Sequence, residues 1–126
     1  MIIGGGKMNV LPRADEAVIP IEKFTEYVLN DKRDFHKSVA FSRALGYNLN
    51  NYQHLIDNIR ANLGHFPAKA KGDKGHGERY EVIMRLVGPN GKVASVLTAW
   101  IDDKQTGKMR LINAYIDRRK RGSIND

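Results

Sequence analysis

The chain has 126 residues, 21 Lys and Arg against 14 Asp and Glu, a formal net charge of +7 and no cysteine. That length fits one domain, and the lack of Cys excludes a disulfide scaffold, a thiolate zinc site, an iron–sulfur cluster and a cysteine nucleophile. No apolar stretch approaches the ~20 residues of a membrane span, and the charge makes a polyanion the first partner to test, with RNA and DNA ahead of a membrane surface.

Residues 1–18 read as a linker-like lead-in, because Gly4-Gly5-Gly6 is costly to order. A first helix is expected from Pro20, which suits a first helical turn. Ile21, Phe24, Val28 and Leu29 share its inner face, and Asn30-Asp31 ends it. A second helix covers about 33–45, with Phe35, Val39, Ser42, Phe41, Ala44 and Leu45 on a broad buried side. Gly46 follows as its left-handed cap. A third helix covers about 51–63 on the stripe Leu55, Ile56, Ile59, Leu63. Residues 65–77 form a basic, Gly-rich loop with room for a short edge strand at 66–69. Alternation then predicts strands at 79–87, 92–102 and 108–116, the first two joined by Gly88-Pro89-Asn90-Gly91. The fold class is therefore α+β: about three N-terminal helices packed on a twisted antiparallel sheet of 3–5 strands. One domain, 19–117, is followed by a basic polar tail at 118–126 whose Arg118–Arg121 run reads as solubilising.

Pairing Val87 with Lys92 across that turn sets Glu81 opposite Thr98 and Arg79 opposite Trp100. In that register one sheet face carries Arg79, Glu81, Thr98 and Trp100, and the other is almost wholly apolar. The third strand adds either Asn113 and Tyr115 or Arg110 and Ile112 to the polar face. The Asp103–Gly107 loop leaves that choice open.

Such a face suits cleavage of a phosphodiester. A base takes the ribose 2′-OH proton, cations stabilise the transition-state charge, and an acid protonates the leaving oxygen. Glu81 and His36 are candidate bases. Lys37, Arg79 and Arg110 are candidate charge stabilisers, and Thr98 a hydrogen-bond donor to phosphate. Trp100 and Tyr115 offer stacking surfaces for bases, while Asn113, Lys69 and Lys71 complete the expected RNA-binding set. His36, His54, His65 and His76 show no metal-ligand spacing, so no metal and no cofactor are expected. His54 is expected to be solvated. The loop Gly72–Gly77 mimics a phosphate-binding spacing but precedes a strand rather than a helix.

Several strings carry a family resemblance: residues 15–23 (DEAVIPIEK), Tyr27-Val28-Leu29-Asn30, Lys37 and Phe41 before Ala44-Leu45-Gly46, Thr98-Ala99-Trp100-Ile101, and Leu111-Ile112-Asn113-Ala114-Tyr115. Over about residues 9–117 the chain resembles a bacterial family found at the C-termini of polymorphic toxins, including contact-dependent growth inhibition (CdiA) effectors, and near phage head genes. That family resembles the barnase–EndoU–colicin–RelE (BECR) ribonucleases. The resemblance implies helices on a twisted antiparallel sheet and metal-independent cleavage of RNA, commonly tRNA. Thr98-Ala99-Trp100 is similar to a hydroxyl-x-Trp pair of colicin D-like members, and His36-Lys37 to their helical Lys/His group. Asn113 departs from the Thr often found there.

The resemblance also implies export as the end of a larger cell-surface or secreted protein and action as a monomer in the cytoplasm of target bacteria. It further implies a cognate immunity protein and, for some toxins of this class, engagement of elongation factor Tu. The residues themselves leave two other readings open: a non-catalytic RNA- or DNA-binding module, and a phage-associated protein-interaction domain.

Overall fold

The structure, a computed structural model, describes residues 9–119. The expected lead-in is part of the fold from residue 9. Leu11, Ala17 and Ile19 are buried in the core, and Val18 bridges to the last strand through two backbone hydrogen bonds, with Met109 and Leu111. Residues 1–8, with the glycine run, lie outside the described residues, as do residues 120–126 of the expected tail.

The first expected helix is a π-helical turn, Lys23–Val28, which buries Phe24 and Val28. Ile21 lies ahead of it, in a turn where its carbonyl accepts from the Phe24 and Thr25 N–H groups, and is exposed, against the expected face. Helix α1 spans Phe35–Leu45. The Asp34 side chain accepts from the Lys37 N–H at its start, and Gly46 closes it at φ 85°. Its inner stripe is narrower than expected, Ser38–Phe41–Leu45, and Phe35 is left 59% exposed. Helix α2 spans Tyr52–Asn62 and buries Leu55, Ile56 and Ile59, with Leu63 following them into the core.

Four antiparallel strands follow in the order β1 (Ala68–Asp73), β2 (Glu78–Val87), β3 (Val93–Asp102) and β4 (Met109–Ile116). The architecture is thus α+β, with helices against a four-stranded antiparallel sheet. Strand β1 occupies much of what reads as loop. Its Lys-Ala alternation has too little apolar character to signal a strand, and pairing with β2 supplies the order. The turning residues reduce to Lys74–Gly77. There the Asp73 carboxylate accepts from the Gly75 and Gly77 N–H groups and pairs with Lys104 at 3.0 Å. The Gly75 hydrogen bond, then Lys104, with a smaller part from Gly77, hold its pKa below the usual carboxylate value.

The β2–β3 register differs from the expected one by a single residue. The Gly88 N–H donates to the Lys92 carbonyl, Gly91 N–H closes the turn onto Gly88, and Gly91 sits at φ 83°. The loop is therefore three residues, Pro89-Asn90-Gly91, with its glycine in the left-handed position of such hairpins. Val87 pairs with Val93, not Lys92. The turn also docks on α1: Asn90 N–H donates to the Leu45 carbonyl, and a Cβ on Gly88 would stand 2.1 Å from that oxygen.

One residue of slip exchanges the two faces of β3. Val96, Thr98 and Trp100 join Val82, Met84, Leu86, Met109, Leu111 and Ala114 on the buried side, under α1 and α2. Ser95, Leu97, Ala99 and Ile101 share the opposite side with Arg79, Glu81, Ile83 and Arg85. No helix of the described residues is long and apolar enough to cross a membrane.

Candidate nucleic-acid interface

The sheet face turned away from the helices collects most of the expected polar residues. Cross-strand pairing fixes one row in register: Lys69 opposite Glu81, Glu81 opposite Ala99, Ala99 opposite Asn113. At ~4.8 Å per strand this row is about 14 Å long, and Glu81 and Asn113 lie about 10 Å apart along it. Beyond Asn113, Lys37 reaches over from α1. Its Nζ donates to Asn113 Oδ1 at 2.7 Å and stands 5.8 Å from the centre of the Tyr115 ring. Ala99 in the middle keeps the floor low between longer side chains.

The choice left open for the third strand is settled by a bulge. Between Ala99 and Trp100 the pairing shifts, so that Ala99 faces Asn113 but Trp100 faces Leu111. Ile112 is the extra residue, and the strand presents Arg110, Ile112, Asn113 and Tyr115 all outside its buried positions Met109, Leu111 and Ala114. Both expected sets therefore reach the open side. Arg110 is also held near Asp103, at 3.8 Å.

A groove of about 440 Å³ lies along β1 and β2 on this face. Its lining includes Lys69, Lys71, Glu81, Arg85, Ser95 and Arg119. Lys69, Lys71, Arg79 and Arg85 have no carboxylate partner within ion-pair distance among the described residues.

Arg119 is a member that the sequence reading missed, having assigned it to a solubilising tail. Asp117, almost fully buried, is tied to β3 by its backbone N–H on the Ser95 carbonyl, and its carboxylate grips Arg119 Nε at 2.9 Å. That hydrogen bond, then the Asp117 charge, with smaller contributions from Tyr115 and Glu81, raises the guanidinium pKa. A cation held by Asp117 thus lines the same groove as Glu81. The only sequence signal was the Asp-x-Arg spacing directly after a strand.

Three expected site residues lie elsewhere. Thr98 and Trp100 are wholly buried beneath the sheet rather than on the open face. Trp100 Nε1 donates to Thr98 Oγ1 at 2.8 Å, and Thr98 Oγ1 donates to the Val82 carbonyl at 2.8 Å. The pair satisfies an indole N–H inside an apolar core. The physical reason for the correction is the register: both residues fall on even positions, facing Val82 and Tyr80. His36 is exposed on α1, meets the Phe35 ring edge-on at 6.0 Å and is absent from the groove lining. His54, expected to be solvated, is exposed yet bonded through Nδ1 to the buried Tyr47 hydroxyl at 2.7 Å. Among the described residues no three His, Asp or Glu side chains are grouped to hold a metal ion.

The family described as "Domain of unknown function (DUF6883)" matches residues 10–118, and the chain belongs to that family. No curated protein and no solved structure matches it.

Proposed function

We propose that the chain is an endoribonuclease domain that holds a single RNA strand across the open sheet face and cleaves it by attack of a ribose 2′-OH. The observation that carries this reading is the setting of Glu81: a carboxylate in a row between Lys69 on one side and the Asn113–Lys37 pair on the other, with Arg119 lining the same groove. Cations there hold phosphate oxygens, and a carboxylate beside bound phosphate is placed to take a proton. Glu81 takes the 2′-OH proton, the 2′-oxygen forms a bond to phosphorus, and the bond from phosphorus to the 5′-oxygen breaks. Tyr115 supplies the proton to that oxygen and recovers one from Glu81 through solvent. The products are a 2′,3′-cyclic phosphate and a 5′-hydroxyl. Lys37, Lys69 and Arg119 stabilise the charge that builds on phosphate, and Arg79, Arg85, Lys71 and Arg110 extend the electrostatic track.

In this reading the substrate is tRNA, the chain acts as a monomeric toxin in the cytoplasm of a target bacterium after export on a larger protein, and an acidic immunity protein covers the same face. Thr98 and Trp100 take no part in the chemistry, which replaces the expectation of a direct role. Burial of those two groups, together with the outlying position of His36, favours a second reading: an RNA-binding module without cleavage.

Purified chain incubated with tRNA and EDTA separates the two. The expected result is fragments ending in 2′,3′-cyclic phosphate. Glu81→Gln should slow cleavage roughly 10²–10⁴-fold, the usual contribution of a general base, while RNA binding persists. Intact tRNA with strong, salt-sensitive retention would establish the binding module instead. Equal cleavage by Glu81→Gln would displace Glu81 from the mechanism.

A further inference from the structure

A second cleft opens where the π-helical turn and the start of α1 meet β4. Its volume is about 280 Å³, and Lys23, Tyr27, Arg33, Asp34, Lys37 and Asn113 are among its lining residues. That is just under the roughly 300 Å³ at which pockets for whole drug-sized ligands begin, and it suits one flat ring lodged from the surface. Tyr27 is 44% exposed there, while its neighbours Phe24 and Val28 are buried. The Arg33 guanidinium stands 4.6 Å from its ring centre and Lys23 Nζ 5.9 Å. Neither cation has a carboxylate within ion-pair distance among the described residues. The one carboxylate of the lining, Asp34, is engaged in capping α1 and in a 3.8 Å contact with Lys37.

We propose that this cleft is a nucleotide subsite, in which an unpaired RNA base stacks on the Tyr27–Arg33 pair while the adjoining phosphate meets Lys23 and Lys37. The proposal rests on the reading of the sheet face as an RNA surface. Lys37 and Asn113 are shared by the two places, since the Lys37–Asn113 hydrogen bond closes the row that begins at Lys69 and Asn113 also lines the cleft. A strand laid along the row therefore arrives at Tyr27. Cations alone would accept any anion. The exposed phenol with a guanidinium on it adds a planar π surface, which only a ligand with flat rings uses. Stacking tolerates every base, so the subsite extends the bound length rather than choosing a sequence.

The test measures anisotropy of labelled hexanucleotides on the full chain, with 2′-O-methyl sugars to block cleavage. An abasic hexamer serves as the control. Tyr27→Ala and Arg33→Ala should each weaken the base-bearing hexamer about tenfold. Neither should change the abasic one comparably, and Tyr27→Phe should bind as the parent does. Exposure of both side chains predicts unchanged thermal unfolding for these variants. Lys69→Ala with Arg85→Ala should weaken both ligands. Loss of binding in that double variant, with none in Tyr27→Ala, would overturn the subsite and leave the groove standing. Equal weakening of both hexamers by Tyr27→Ala would make the cleft a site for charge alone and refute stacking. A parent chain that binds neither hexamer would refute the RNA surface and the subsite together.

Discussion

Thr98→Val is the substitution that best separates structure from chemistry in this chain. Valine keeps the shape of threonine and exchanges its hydroxyl for a methyl. Both Thr98 and Trp100 are fully buried, so no solvent can replace the lost acceptor of the indole N–H at 2.8 Å. Leaving a buried donor without a partner costs about 1–3 kcal/mol. For a domain of this size, at roughly 4 °C per kcal/mol, that corresponds to a fall in Tm of about 4–12 °C. Trp100 is the chain's one tryptophan, so its fluorescence reports the site directly during thermal unfolding. A second variant closes the cycle. Trp100→Phe removes the donor, so adding Thr98→Val to it should cost less than Thr98→Val alone. RNA binding and cleavage measured well below Tm should remain near parental. An unchanged Tm with cleavage abolished would place Thr98 in the reaction and refute the structural role.

The buried Tyr47 phenol accepts from Asn58 and faces His54, and burial raises its pKa above the ordinary tyrosine value. A folded-state pKa above the unfolded one means that the stability it contributes is complete below the unfolded pKa, near 10, and disappears as pH climbs through the folded value. Tyr47→Phe should therefore lose less stability than the parent between pH 9 and 11.5 in urea titrations; parallel loss would refute the linkage. Gly88→Ala should lower the denaturation midpoint by an equivalent of about 1–3 kcal/mol, because the new Cβ meets the Leu45 carbonyl oxygen at 2.1 Å. An unaltered midpoint would show that the hairpin turn is not docked on α1.

Strong local signals survived contact with the structure. Gly46 closes α1, the stripe Leu55, Ile56, Ile59 faces inward from α2, and the three alternating strands lie within a residue of their expected bounds. Weak ones did not. The Lys-Ala-Lys run of β1 carries no strand signature, and the segment 9–18 is ordered by partners distant in sequence, Ala68 and Met109. The larger error came from one residue in a turn. The sequence suits a four-residue connection, Gly88-Pro89-Asn90-Gly91, whereas the Gly88 N–H on the Lys92 carbonyl makes it three. Every β3 side chain then exchanges faces, which moves Thr98 and Trp100 from the expected site into the core and puts Ser95, Leu97 and Ala99 on the opposite face, where Leu97 is itself buried. No periodicity argument detects this, because the strand is apolar on both faces and either register looks acceptable.

The same period-two logic explains why β4 nonetheless delivers the residues expected of it. In a regular strand Arg110 and Asn113 point to opposite sides, so a single register would admit one or the other. The extra residue at Ile112 changes the phase in mid-strand: Met109 and Leu111 are buried before it and Ala114 after it, while Arg110, Asn113 and Tyr115 share the open side. A bulge costs ladder hydrogen bonds and gains no core packing for Ile112, which is only partly buried. What it gains is Asn113 beside Lys37, the joint between the sheet groove and the Tyr27 cleft. Deleting Ile112 would restore regular alternation and turn either Arg110 or the Asn113–Tyr115 pair inward. The bulge is therefore the feature of the fold most directly coupled to the proposed RNA track.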